Sequence, residues 1–438
     1  MFRKLCCVAA LVTAAVPASA QDAELSKLRE ALRQLQQQVQ ELEKRLADAE
    51  NRKPPAQAAA RPAGSNAFNP DISVILQGTV ARSTLDPNTY QISGFAPSGG
   101  EVAPAPRSFN LGESELIITS NVDPYFRGQL VAALTPDNEL EVEEAFFQTL
   151  ALGRGFTLKG GRFLSGIGYQ NEIHQHAWDF QDAPLAYKAF LGGRLNDDGV
   201  QLRWLAPTDL FIELGAELGR GRAFPGTDRN RNGANMGSLF GHVGGDIGAS
   251  TAWRAGLSYL SASPQDRAFT DLGTTQSFSG ESRTWIADFI LKWAPNGNAS
   301  VTNFKLQGEY FRRHESGTLT FADTFTDAYA SRQSGWYTQA LYQFMPRWRV
   351  GYRYDRLDHG TVDNGIVANG LGPTAADFPL LMTDYNPTRN TAMVDWNPTE
   401  FSRWRLQYAV DKSRVGLTDN QLLLQYILSL GAHGAHKF

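Results

Sequence analysis

The chain has 438 residues, 42% of them hydrophobic, and a formal charge of −4. So mild a balance, acidic rather than basic, offers nucleic acid no electrostatic footprint, and no nucleic-acid partner is expected. A mean hydropathy of −0.33 excludes a bundle of membrane helices. It does not exclude a barrel, where lumen-facing polar residues dilute the lipid-facing ones.

Residues 1–20 read as an export signal. Arg3 and Lys4 form a charged start, Leu5 to Val16 is an apolar stretch too short to span a bilayer, and Ala18-Ser19-Ala20 is a cleavage site. The mature chain is expected to begin at Gln21, and losing two positive charges moves the formal charge from −4 to −6. Both cysteines, Cys6 and Cys7, leave with the signal. No disulfide, thiolate metal site or cysteine nucleophile then remains, and the context is not that of a lipid anchor.

Residues 21–53 form a coiled-coil pattern. Leu25, Leu32, Val39 and Leu46 fall at heptad position a, and Leu28, Leu35, Leu42 and Ala49 at d. So narrow an apolar stripe points to self-association, with Arg45 and Glu50 placed to pair across chains. Residues 54–69 are a Pro/Ala-rich linker, opening with Pro54-Pro55, which ends the helix.

From 70 to 438 the sequence is a run of alternating segments. Strands are expected at 71–82, 112–122, 124–134, 140–151, 156–164, 198–206, 209–219, 239–249, 252–262, 282–294, 303–313, 334–344, 348–357, 389–397, 403–412 and 420–430. Val122-Asp123-Pro124, Ala206-Pro207-Thr208-Asp209, Met345-Pro346-Arg347 and Asn397-Pro398-Thr399-Glu400 are tight turns. Long polar loops at 165–197, 220–238, 263–281, 314–333 and 358–388 alternate with them. Trp204, Trp253, Trp293, Trp348, Trp396 and Trp404 flank the short turns, while Trp285 and Trp336 begin strands descending from long loops. This resembles two aromatic girdles. One strand face collects Leu214, Leu218, Leu257, Phe289, Tyr310, Tyr352, Leu406 and Tyr408. The other collects Gln201, Arg203, Glu213, Glu217, Arg254, Asp288, Lys292, Lys305, Glu309, Arg349, Arg353 and Arg405. The expected fold is all-β: a 16-stranded antiparallel transmembrane β-barrel with an N-terminal coiled-coil helix. Its interior is expected to be polar, and a barrel of ~16–18 strands leaves an aqueous channel.

The chain ends Leu428-Ser429-Leu430-Gly431-Ala432-His433-Gly434-Ala435-His436-Lys437-Phe438. This resembles the assembly signal of bacterial outer-membrane barrels. It implies the outer membrane of a Gram-negative bacterium, the lipid bilayer as surroundings, the coiled coil in the periplasm, and the barrel-assembly machinery as a partner through Phe438. Lys159-Gly160-Gly161-Arg162-Phe163, followed by Gly166-Ile167-Gly168-Tyr169, resembles the fifth strand and long third loop of the phosphate-selective porin family. That resemblance implies a homotrimeric porin-like channel for passive diffusion of small hydrophilic, including anionic, solutes. It also implies a lysine-lined pore, whereas this barrel offers few lysines (Lys159, Lys292, Lys305).

By that resemblance the third external loop, 165–197, folds inward as the constriction. It carries His174, His176, Asp179, Asp182, Lys188 and Arg194. The channel lining facing it would be Arg203, Glu213, Glu217, Arg254, Asp288, Lys292, Lys305, Glu309, Arg349, Arg353 and Arg405, since charged rings set pore selectivity. His174, His176 and Asp179 carry the atom types of a zinc site, but no fourth ligand is evident; the sequence assigns no metal and no cofactor. No enzyme is expected: phosphate loops, CxxC pairs and HExxH are absent. Two other functions stay open. One is a TonB-dependent-type receptor or metal (zinc) uptake protein, which a plug domain would favour. The other is a structural envelope protein, which a fully blocked lumen would favour.

Overall fold

The computed structural model describes residue 30 and residues 70–99, 102–135 and 139–431. The export signal, coiled coil, linker and the ending 432–438 with Phe438 lie outside the described residues.

Sixteen strands form the barrel. They are β1 (Asp71–Ser83), β2 (Ser114–Asn121), β3 (Phe126–Leu134), β4 (Leu140–Thr149), β5 (Phe156–Leu164), β6 (Asn196–Leu205), β7 (Phe211–Gly219), β8 (Met236–Ile247), β9 (Thr251–Ala262), β10 (Thr274–Trp293), β11 (Asn303–Phe321), β12 (Phe325–Met345), β13 (Trp348–Asn364), β14 (Thr388–Thr399), β15 (Ser402–Lys412) and β16 (Asp419–Gly431). Each pairs antiparallel with its neighbours in sequence, and β1 closes on β16 from Ser73↔Gly431 to Ser83↔Gln421. Closure leaves no unpaired edge, which is the condition for a sheet to stand in hydrocarbon. Two short strands, Ser108–Asn110 and Arg267–Asp271, add to β1 and β10 outside this ring.

Alternation sorts the faces as expected. Leu214, Leu218, Leu257, Tyr352 and Leu406 are exposed on the outside, while Gln201, Ser258, Gln307, Arg353 and Arg405 are buried inside. Neighbouring girdle residues touch: Trp348 and Trp396 stack at 5.9 Å, and Tyr259 meets Trp285 at 4.7 Å. Trp285 and Trp293 lie eight residues apart on β10. That is ~26 Å along the strand, or ~20 Å along the membrane normal at a tilt of ~40°, which fits inside the ~25 Å apolar band of an outer-membrane barrel.

Two expected loops are strand instead. Residues 274–281 prolong β10, and 314–333 is a hairpin joining β11 to β12. Its turn, Ala322-Asp323, has φ of 52° and 53°, the geometry that matches the twist of paired strands. These stretches stand above the membrane, where neither face needs to be apolar, so the alternation fades. β10 to β13 run 17 to 21 residues, against 8 to 10 for β2 to β4.

The interior also departs from expectation, because it is neither wholly polar nor open throughout. The third outer connection, 165–195, crosses the lumen and carries the helix α1 (Leu185–Leu191), all seven residues of which are buried. A short helix that is apolar on nearly every side is one enclosed on every side. Tyr187, Phe190 and Leu191 pack against the inward-facing Leu260, Ile286, Phe311, Tyr337 and Leu357, and against Ile92 and Phe95 of the first outer connection. A second apolar cluster, including Phe278, Leu319, Tyr329, Phe378 and Leu381, lies beneath the connection between β13 and β14. Phe190 is fully buried, stacked on Phe311 at 5.9 Å and edge-on to Phe95 at 5.8 Å. Phe190→Ala is expected to cost the docked crossing ~3–5 kcal/mol. The measurement is protease cleavage within 165–195 of the refolded barrel, which the variant should show and the parent resist.

Candidate functional site in the lumen

The strand leading into the crossing and the crossing itself make close approaches that only glycine permits. Gly161 sits at φ 124°, and a Cβ there would lie 2.3 Å from the Ala145 carbonyl. Gly168, at φ 66°, presses against the Glu309 carboxylate. Glu309 accepts the backbone N–H groups of Tyr169 and Gln170, both at 3.1 Å, and the hydroxyls of Tyr187 (2.9 Å) and Tyr337 (2.6 Å). Glu217 accepts the Gly166 N–H at 2.8 Å and the Gln201 amide at 2.6 Å. Arg254 donates to the Gly168 carbonyl at 3.1 Å, lies over the Tyr169 ring and faces Asp288 at 3.4 Å. Arg203 pairs with Glu172 of the crossing and approaches Glu213 at 3.5 Å. Glu217, Glu309, Arg203 and Arg254 thus hold the crossing against the wall.

Beyond this entrance the charges separate into two sides. On the β11–β15 side the wall is basic. Asp179 accepts from Lys305 at 2.6 Å, Arg349 at 3.1 Å and Gln339 at 3.2 Å. Asp182 accepts from Arg389, from Arg353 at 3.3 Å and from Gln407 at 3.1 Å, with the buried Lys188 ammonium 3.2 Å away. Arg405 is held by Asp395 at 2.8 Å and donates to the Trp178 carbonyl at 3.1 Å. Lys292 stands opposite Lys305 in register. Burial alone would raise both aspartates of the crossing. The cations outweigh it, holding Asp179 at about 2 and Asp182 well below the usual carboxylate range.

On the β2–β4 side the wall is acidic. Glu143 and Glu144 are consecutive yet both buried and inward. A register shift in the β3–β4 pairing, between Val131 and Ala132, leaves Glu143 as the extra residue of a bulge and turns it to the same side as Glu144. His174 reaches Glu143 through Nδ1 at 3.1 Å and Glu144 through Nε2 at 3.0 Å. His176 meets Glu115 at 2.8 Å. Arg194 bridges Glu143 and Glu113 and lies over the Trp178 ring. The expected trio of His174, His176 and Asp179 does not assemble: Asp179 turns to the basic wall, because Lys305 and Arg349 are there to hold it. The carboxylates that meet the histidines are Glu115, Glu143 and Glu144. In the sequence, the doublet Glu143-Glu144 is the available sign of a bulge.

An outer cavity of about 750 Å³ lies between the crossing and the first, second and fourth outer connections. Its charged lining is Glu113, Glu139, Glu141 and Asp182 against Arg194 and Arg222.

The architecture is a closed sixteen-stranded antiparallel β-barrel with an apolar outer face. It resembles the loop L8 deletion mutant of OmpT, an outer membrane protein of Vibrio cholerae, with a TM-score of 0.52 and 11% identity over 83% of this chain and 100% of that one. It likewise resembles in-vitro folded OmpT in its trimer form, with a TM-score of 0.50 and 10% identity over 83% and 100%. At such identities the likeness is one of fold. No protein-family model matches the chain. An uncharacterized protein of Aquifex aeolicus (strain VF5) is 31% identical over 409 residues, 86% of this chain and 81% of its own length, and this chain belongs to the same family.

Asp182→Asn would leave Arg353, Arg389 and Lys188 without their shared counter-charge, at an expected cost of ~3–5 kcal/mol, read as a lower unfolding temperature of the refolded barrel. The pairing of Asp179 stabilises the fold fully above its unfolded pKa of ~3.9 and ceases to do so as pH falls through about 2. Acid titration of tryptophan fluorescence should therefore show the crossing intact at pH 5 and loosening below pH ~4.

Proposed function

We propose that this protein is a porin-like channel for small hydrophilic solutes, with its passage running beside the crossing rather than through the centre of the barrel. The observation that carries the reading is the polar cavity of about 750 Å³ left between the docked crossing and the acidic wall. His174, His176, Asp179, Asp182, Lys188 and Arg194 form the constriction in this reading. Arg203, Glu213, Glu217, Arg254, Asp288, Lys292, Lys305, Glu309, Arg349, Arg353 and Arg405 line the remaining lumen or brace the crossing against it. No chemical step is required of them, and the protein acts as a channel rather than an enzyme.

Selectivity follows from the cavity lining. With Asp182 taken up by the basic wall, the remaining Glu113, Glu139 and Glu141 against Arg194 and Arg222 favour small cations, since fixed charge of one sign concentrates its counter-ions. The basic wall does not oppose this, because Asp179, Asp182 and Asp395 engage it. The trimer form of the Vibrio cholerae relative supports a homotrimer, with the coiled coil joining the subunits in the periplasm and Phe438 serving barrel assembly.

Planar-bilayer recording of the refolded full chain tests this. Stepwise openings with a reversal potential on the cation side are expected, in groups of three for a trimer. Glu139→Gln with Glu141→Gln should move the reversal potential toward zero. A silent bilayer would overturn the channel and favour a closed structural barrel, and anion preference would overturn the assigned passage.

A further inference from the structure

The acidic side of the lumen gathers four buried carboxylates around His174, His176 and Arg194. Glu113, Glu115, Glu143 and Glu144 are all buried. Arg194 serves two of them, and Lys159 acts on Glu144 from further off. Buried carboxylates this close repel one another unless a cation lies among them.

The geometry marks where that cation belongs. One oxygen of Glu143, one oxygen of Glu115 and one ring nitrogen of His174 all lie within 4.8 Å of one another. The His174 Nδ1 atom is 3.1 Å from the Glu143 Oε2 atom and 3.5 Å from the Glu115 Oε2 atom. That second oxygen of Glu115, on a residue 1% exposed, accepts no hydrogen bond among the described residues. A proton on Nδ1 can satisfy one of the two carboxylates, not both.

The surroundings also suit a metal ion in place of a proton. His174 Nε2 sits 3.0 Å from Glu144, the partner that a metal-ligating imidazole uses to fix its tautomer, which leaves Nδ1 as a lone-pair donor. His176 holds the other oxygen of Glu115 at 2.8 Å, and Arg194 steadies Glu143. Glu113 and Arg194 also line the outer cavity, so water and ions reach the edge of this cluster from outside. One imidazole nitrogen and two carboxylate oxygens, with a water as fourth ligand, suit a borderline divalent ion such as zinc or cobalt. Magnesium and calcium favour oxygen donors alone.

We propose that His174, Glu143 and Glu115 form a divalent transition-metal site in the lumen, oriented by Glu144 and His176. Its occupant lies where the outer cavity meets the crossing, so binding ties the crossing to β2 and β4. The site does not depend on whether the barrel conducts.

Cobalt titration of the refolded full chain, followed by visible d–d absorption, tests it. One saturating cobalt per chain is expected, displaced by zinc. His174→Ala and Glu143→Gln should each weaken that binding ~10–100-fold or more. His314→Gln, a histidine outside the cluster, should leave it unchanged, and the terminal His433 and His436 stay the same in every variant. Should His174→Ala fail to fold, Glu143→Gln decides alone. Absence of saturable binding, or equal binding by parent and cluster variants, overturns the site. If bilayers stay silent while cobalt binds, the channel reading fails and the site stands. If the barrel conducts and cobalt does not bind, the reverse holds. In a conducting parent, zinc should lower conductance, and His174→Ala should remove that effect.

Discussion

A carboxylate enclosed within a protein stays ionised where cations or hydrogen-bond donors surround it, and Asp182 has three cations: Arg353, Arg389 and Lys188. The rest of the lumen depends on this kind of match. The barrel wall presents arginines that no neighbouring strand could fully neutralise, and the crossing brings the acids that do so. With those charges paired, α1 can place its apolar residues against Leu260, Ile286 and Phe311 without stranding a charge nearby. Removing one member would be felt by all, because breaking a buried pair costs far more than exchanging the whole set for apolar residues.

The same segment is complementary in the opposite sense on its other edge. Within twenty-one residues it offers His174, His176 and Arg194 to the glutamates of β2 and β4, and Asp179 and Asp182 to the arginines of β13 and β14. The path across the lumen is therefore fixed in rotation as well as position: turning it over would set like against like. A lumen of one sign could hold such a segment in either sense.

Much of the barrel was legible in the sequence, and the reason is the solvent. Within the bilayer a polar residue on the outer face is costly, so β7, β9 and β15 keep a strict period of two and their limits are readable within a few residues. Above the bilayer that penalty vanishes, which is why the hairpin around Ala322 reads as a loop. The lumen was legible in kind but not in arrangement. Arg349 and Arg353 could be placed on the inner face, but their partners on the crossing, Asp179 and Asp182, lie more than 160 residues away, and no local pattern encodes that pairing. The docking residues Phe311 and Leu357 read as lapses in a polar face, because the helix they receive was not foreseen. Glu143 was hidden by a bulge that breaks the rule by which its neighbours were assigned. The export signal, coiled coil and terminal Phe438 lie outside the described residues and rest on sequence alone.

The unequal strand lengths give the barrel a tall wall and a low sill. At ~3.3 Å per residue, the 21 residues of β12 extend ~70 Å, while the 8 of β2 extend about 26 Å. The outer cavity lies by the sill, among the connections of β1 to β8. In the proposed channel a solute therefore arrives through a sector of the surface rather than from every direction. In a symmetric pore, rotation about the membrane normal is immaterial. Here it decides which neighbours in a crowded membrane stand in front of the opening and which stand behind the wall.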